Sequence, residues 1–198
     1  LSIVFKTFFS LFACLLYFGL VAQKIDSIPN GKFTQFEYAN GKISSEGFLL
    51  NGKPEGYWKN YYPNGNLKSE GLRKNYMLEG NWKFYDDNNV IQKEIIYSSG
   101  KKFGIQKTYS TEGFLLRKDP YLRDTIHGTV FYFFPDGRVS EKMPFEKGKK
   151  EGVSTQYNET GAIIALIDYK NDLIYNRQYI NRKDKKGIKQ GPWKEFYP

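Results

Sequence analysis

The chain has 198 residues, room for one ordinary domain or for several short repeats stacked in a line. With 16 Tyr, 16 Phe and 19 Gly against 2 Met and 1 Cys, its composition favours strands and tight turns over helices. The formal charge of +9 fits anionic partners such as phospholipid, acidic wall polymer or nucleic acid. It fits equally a solvated lysine-rich surface that keeps exposed strands from pairing, and the interspersed placing of the lysines favours this second reading.

Residues 1–22 read as an export signal. Lys6 supplies a short positive start, Thr7 to Val21 is almost wholly apolar, and Ala22 precedes a polar stretch opening Gln23-Lys24. Cleavage after Ala22 is expected, with an uncleaved membrane anchor as the alternative because the apolar run is near the short limit for a span. Removing Lys6 with this segment leaves +8 on the remainder. Cys14 sits inside the apolar run, which continues through Leu15 to Phe18, so it is not read as a lipid attachment site. Residues 23–198 lack cysteine, which excludes disulfides, a cysteine nucleophile and thiolate metal sites there.

After a short linker at 23–30, a repeat array occupies residues 31–169. Gly41, Gly65, Gly113, Gly137 and Gly161 form a ladder with a 24-residue period, and the missing rung is Asn89, which tolerates a left-handed backbone. A second ladder, Gly56, Gly80, Gly104, Gly128 and Gly152, runs nine residues ahead of the first. Counting from these second-ladder glycines, the sixth position is Tyr61, Tyr85, Tyr109, Phe133 and Tyr157, with Phe196 in a last partial copy. The third position is Trp58, Trp82 and Trp193 in three copies, which accounts for every tryptophan. The twelfth is Leu67, Ile91, Leu115, Val139 and Ile163, and the eighteenth Tyr97, Tyr121, Phe145 and Tyr169, with Arg73 the exception.

Asn64-Gly65, Asn88-Asn89, Glu112-Gly113, Asp136-Gly137 and Thr160-Gly161 lie between apolar runs, as two-residue hairpin turns do, with both residues expected at positive φ. A second turn falls at Asn51-Gly52, Ser99-Gly100 and Lys147-Gly148. Each unit is therefore one hairpin plus a connecting turn. The fold expected is all-β: an elongated antiparallel meander of about six hairpins in a single twisted sheet, with strands about 4.8 Å apart. Positions twelve and eighteen differ by six and so should share a face. In the first copy Gly31 stands one residue too early, which a bulge around Phe33–Phe36 would absorb.

The run Gly56-Tyr57-Trp58-Lys59-Asn60-Tyr61-Tyr62-Pro63-Asn64-Gly65-Asn66-Leu67-Lys68-Ser69-Glu70 resembles the MORN-repeat variant family of bacteria, as does Gly80-Asn81-Trp82-Lys83-Phe84-Tyr85. The likeness covers nearly all of residues 30–198, with Gln106, Val130 and Ser154 departing from the family's tryptophan. It implies a scaffold or interaction platform; related arrays have been linked to membrane lipids and to protein partners, and bacterial variants are often labelled antitoxin-like. An exported chain sits poorly with an intracellular toxin.

The rhythm breaks after Tyr169. Residues 170–190 read as a basic insertion between arrays, ending in Arg182-Lys183-Asp184-Lys185-Lys186, and 191–198 restart the pattern with Trp193 and Phe196. The array is therefore expected to continue beyond Pro198 with further hairpins, which makes the present sequence an N-terminal piece of a longer array.

Nothing in the sequence points to catalysis. His127, the only histidine, occupies the turn slot that Glu79 and Glu151 fill elsewhere, and has no second histidine or cysteine for a triad or zinc site. Glu46, Glu70 and Glu94 recur at the period and read as sheet-surface residues paired with lysines, not as a glycosidase pair. No phosphate-loop, dinucleotide, nucleophile-elbow or zincin motif occurs. The expectation is a non-enzymatic exported scaffold with no cofactor or metal that binds another envelope protein. The alternative is a peripheral binder of anionic lipid or wall polymer; nucleic acid is disfavoured because an exported protein rarely meets it.

Overall fold

The computed structural model describes residues 28–194, and among them there is no helix. The signal at 1–22, most of the linker, and Phe196 with the end of the restarting copy lie outside the described residues. The strands are β1 (Lys32–Glu37), β2 (Ile43–Leu50), β3 (Lys53–Tyr61), β4 (Leu67–Lys74), β5 (Met77–Tyr85), β6 (Ile91–Ser98), β7 (Lys101–Tyr109) and β8 (Leu115–Leu122). They continue as β9 (Thr125–Ile126), β10 (Gly128–Phe133), β11 (Val139–Glu146), β12 (Lys149–Lys150), β13 (Gly152–Tyr157), β14 (Ile163–Lys170) and β15 (Leu173–Tyr179). Two further stubs, β16 (Arg182–Lys183) and β17 (Lys189–Gln190), pair only with each other.

The first fifteen strands make one antiparallel sheet in which the order in space is the order in sequence. The stubs β9 and β12 are the opening segments of the strands that go on as β10 and β13, and they pair with β8 and β11. The interruptions fall at His127 and Glu151, whose amides donate to the carbonyls of Pro120 and Pro144 at 3.0 and 3.1 Å. Those prolines stand inside β8 and β11, where their lack of an N–H is tolerated beside an irregular ladder.

The two turns of each unit differ in backbone, and not in the way the sequence suggests. At the first ladder only the last residue is left-handed: Gly65 has φ 94° and Asn89 66°, while Asn64 and Asn88 stay at negative φ. The Gly65 amide donates to the Tyr62 carbonyl and the Tyr62 amide to Asn66, both at 2.8 Å, giving a three-residue loop closed by a left-handed residue. The turns with two positive-φ residues are the connecting ones: Asn51-Gly52, Asn75-Tyr76, Ser99-Gly100, Arg123-Asp124, Lys147-Gly148 and Asn171-Asp172. Asn-Gly occurs in both kinds, so the dipeptide alone does not separate them.

The second glycine ladder marks a wide bulge. Between β2 and β3, Glu46 faces Lys59 and Phe48 faces Glu55, so Gly47 alone opposes Gly56, Tyr57 and Trp58. Gly56 opens this bulge at φ 73°, and Gly80, Gly104, Gly128 and Gly152 repeat the left-handed conformation at 66–112°. A smaller register shift lies near the end of every hairpin, at Phe36/Glu37, Asn60/Tyr61, Phe84/Tyr85 and onward. Its presence in every copy means that the first copy needs no special bulge at Phe33–Phe36; among the described residues, β1 pairs only with β2.

Residues 170–190 hold β15, which extends the sheet one strand beyond Tyr169. Asp168 faces Asn176 and Tyr169 faces Ile174, so only Tyr175 is extra here. Asn176 stands where a glycine would open the wide bulge, and the bulge shrinks to one residue. The small hairpin that follows turns on Asp184, whose Oδ1 accepts the amides of Lys186 and Ile188, both at 2.9 Å.

With no second layer, the core is one face of the sheet covering itself. The twelfth-position stripe from Leu67 to Ile163 is half-buried throughout. The deepest line instead joins the third and sixteenth positions: Trp58, Trp82, Val130 and Ser154 with Gly71, Ile95, Asp119, Met143 and Ile167. Members of this line face each other directly within each hairpin, as Trp82 faces Ile95 and Val130 faces Met143.

Candidate interaction surface

The covered face is built by a contact between successive repeats. The Trp58 ring lies where a Cβ on Gly47 would come within 2.6 Å of it, and the Trp82 ring leaves 2.4 Å at Gly71. No side chain fits at either glycine while the ring stays. Each indole N–H is satisfied as well, Trp58 donating to the Phe48 carbonyl at 3.0 Å and Trp82 to that of Leu72 at 2.9 Å. In later copies the corresponding pairs are Gln106 with Ile95, Val130 with Asp119 and Ser154 with Met143. As the third position shrinks, the sixteenth of the preceding copy grows, so the volume of the seam is roughly kept.

Polar groups enter this seam where tryptophan leaves it. Asp119 is only 2% exposed and accepts a hydrogen bond from Arg117 Nε at 2.5 Å. Burial pushes its carboxyl above the ordinary Asp value, and the adjacent guanidinium offsets this only in part. Ser154, also buried, donates to Glu141 Oε1 at 2.5 Å.

The opposite face carries the recurring sixth-position aromatics, and its chemistry changes along the array. Tyr61 donates to Glu46 at 2.6 Å, Tyr85 to Glu70 at 2.8 Å and Tyr109 to Glu94 at 2.7 Å, each reaching back one repeat. Burial and the carboxylate together raise the phenols, Tyr109 to about 12. Burial opposes ionisation of Glu46 and Glu94, but the phenol hydrogen bonds and the cations Lys59 and Lys107 win, holding both below the usual Glu value. From Phe133 onward the partner is a cation: Lys118 Nζ lies 5.3 Å from the Phe133 ring and Lys142 Nζ 5.6 Å from the Tyr157 ring.

The two edges formed by the turns are knitted separately. Along the first-ladder edge Asn40 donates to the Pro63 carbonyl at 3.0 Å and Asn64 to that of Asp87 at 2.9 Å. Along the connecting-turn edge, glutamates reach forward to the next turn. Glu55 accepts the amides of Asn75 and Tyr76, Glu79 that of Ser99, and Glu151 that of Asn171, at 2.8–3.1 Å.

Of the residues singled out by sequence, Gly41, Gly65, Gly113, Gly137 and Gly161 all occupy left-handed turn positions. Trp58 and Trp82 are core, and Tyr61, Tyr85, Tyr109, Phe133 and Tyr157 line the opposite face. Trp193 stands apart from the sheet's seam, partly exposed, with Lys189 Nζ 4.2 Å from its ring. These residues form stripes across the sheet and do not converge on a pocket. Sequence reasoning missed Gly47 and Gly71, each eleven residues ahead of a tryptophan, and the bracing glutamates; the fixed offsets were the available signal. His127 is exposed at its turn. No group of three or more His, Cys, Asp or Glu side chains among the described residues is placed to hold a metal ion.

An open sheet of sequential hairpins, with its recurring side chains in stripes, defines an open β-hairpin repeat array. The model of the MORN repeat variant family matches residues 54–75, 78–99 and 150–171, and the chain is therefore similar to that family at these places. The matches fall on β3–β4, β5–β6 and β12–β14, and the intervening copies hold the same fold with altered seams. Such repeats are in general protein- or membrane-binding motifs. No curated protein matches the chain.

Proposed function

We propose that the protein is a non-enzymatic, exported scaffold whose sheet holds another protein in the bacterial envelope. The observation that carries this reading is the set of large apolar side chains left exposed on a rigid open sheet, among them Phe33, Ile96, Phe103, Ile105, Leu122 and Val153. Two hollows among the described residues, of about 390 and 380 Å³, are lined by turn residues such as Ser99 and Lys101 or Glu151 and Tyr175. The argument for export is the Lys6 start, apolar run and Ala22-Gln23 junction.

The second reading, attachment to anionic lipid or wall polymer, draws on the basic balance and the lysines stacked over rings, as Lys53 on Tyr76 and Lys150 on Tyr169. A salt series separates the two. Capture of a protein from envelope extract should persist as the screening length shortens, because apolar contact carries it. Attachment that collapses with salt and is reproduced by anionic vesicles alone would favour the second reading and defeat the first.

A further inference from the structure

We infer that the turn Arg123-Asp124, together with Phe103, receives a carboxylate side chain of a protein partner, filling a place that the chain's own glutamate fills in other repeats. The inference rests on the protein-scaffold reading above. Glu55, Glu79 and Glu151 each accept an amide of the following turn. At the same step of the third repeat the residue is Phe103, and the Arg123 amide, which corresponds to those of Asn75, Ser99 and Asn171, has no acceptor among the described residues.

The charge of the turn follows the same division. Where the glutamate is present the first turn residue is neutral, Asn75, Ser99 or Asn171; where Phe103 or His127 replaces it, that residue is Arg123 or Lys147. The hollow of about 390 Å³ lies here, lined by Ser98, Ser99, Lys101, Phe103 and Arg123. Neither Lys101 nor Arg123 forms an ion pair among the described residues. The nearby acid, Asp124, is engaged by the Lys102 amide at 2.8 Å. An unpaired amide and two cations suit an anion, and an N–H to carboxylate bond is of the stronger, charge-assisted kind.

The apolar strip that runs from Phe103 out of the hollow identifies the source of that anion. Phe103 faces Leu122 and Ile105 faces Pro120 across the hairpin, with Phe103 47% and Leu122 49% exposed. Acidic wall polymer offers nothing to such a strip, whereas an Asp or Glu flanked by apolar residues offers both halves. The recognised element is therefore an acidic–apolar segment of a protein.

The test uses the full chain, labelled for amide resonances, and a short capped peptide of alternating leucine and glutamate. The Arg123 amide should shift on titration, and the same peptide with glutamine for glutamate should bind about tenfold more weakly or worse. Phe103→Glu restores the arrangement of the other repeats; it should abolish the response and slow exchange of the Arg123 amide without peptide. A Lys101→Ser/Arg123→Ser chain, checked for an unchanged melting temperature, should weaken binding by a similar factor. Equal binding of the glutamine peptide, equal shifts at Ser99 and Asn171, or a response to inorganic phosphate or anionic vesicles but not to peptide would overturn the site. An envelope extract that yields no protein partner would remove the scaffold reading. Capture unaffected by Phe103→Glu would remove only this site.

Discussion

In the first two full repeats Trp58 and Trp82 cover Gly47 and Gly71; in the next three, Gln106, Val130 and Ser154 stand beside Ile95, Asp119 and Met143. The backbone course is alike in both regions, with the same left-handed glycine opening the bulge, except that the later strands are interrupted at His127 and Glu151. The early seam is made by one large ring over bare backbone, the later seam by two mid-sized or polar side chains that share the space. The opposite face changes one repeat later, after Tyr109, from Glu–Tyr hydrogen bonds to lysines over rings. The bulge geometry therefore sets the fold, and the seam and face are free to vary so long as paired positions vary together.

The largest expected effect is at the early seam. Trp82 is 2% exposed, and Trp82→Ala should cost about 3–5 kcal/mol in chemical denaturation. Val130→Ala, at the same position of a later copy, removes two buried methyl groups and should cost less, about 2 kcal/mol. Equal losses would show that the two regions do not differ as described.

Importing the third repeat's solution sharpens the point. Gly71→Ile alone forces a side chain into the Trp82 ring, and Trp82→Gln alone leaves a void. The double variant should lose less than the sum of the two by at least about 1 kcal/mol, read as a double-mutant cycle. Strict additivity would mean that the seam is not a coupled pair.

A turn substitution should act alike in both regions, since both keep the same turn. Gly65→Val and Gly137→Val place a branched residue at φ 94° and 86° and should each cost about 1–2 kcal/mol. Lys59→Ala, half-buried opposite Glu46, should cost less, within about 1 kcal/mol. Equal melting temperatures for the three chains would contradict the turn assignment.

The smallest effect expected is an opposite response to acid. The carboxyls of Glu46 and Glu94 are held low in the folded chain, so their contribution is present above the unfolded value of 4.5 and is lost as pH falls through the folded one. Asp119 is held above its unfolded value of 3.8, so its contribution is present below that value and is lost as pH rises through the folded one. Residue-resolved hydrogen exchange from neutral pH to about pH 4 should show the strands carrying Glu46 and Glu94, β2 and β6, loosening before the strand around Asp119, β8. A uniform loss across all repeats would remove this distinction.

Much of the fold was legible because a strict period leaves few ways to place six hairpins. Gly65 and Gly137 betray their turns by being the residues that a left-handed backbone favours. What the local sequence could not convey was which of two Asn-Gly turns would take two left-handed residues, since that depends on strand register. Nor could it show that Gly47 belongs to Trp58, because the pairing arises only when the wide bulge swings the indole over the preceding copy. The surface was less legible still. Phe103 is one of 16 phenylalanines in the sequence, and only its place beside the glutamates that brace neighbouring turns makes it an absence of charge.

Because every strand of the long sheet lies beside its neighbours in the chain, the molecule also has a defined behaviour under load. Traction on its two end strands would fall on the hydrogen bonds of one strand at a time, as in a zip, and not on many in parallel shear. Each released copy would yield 24 residues, a slack of up to about 80 Å of extended chain, while the copies behind it keep their form. A sheet built so would lengthen in steps of one copy each, giving way gradually from its edges inward.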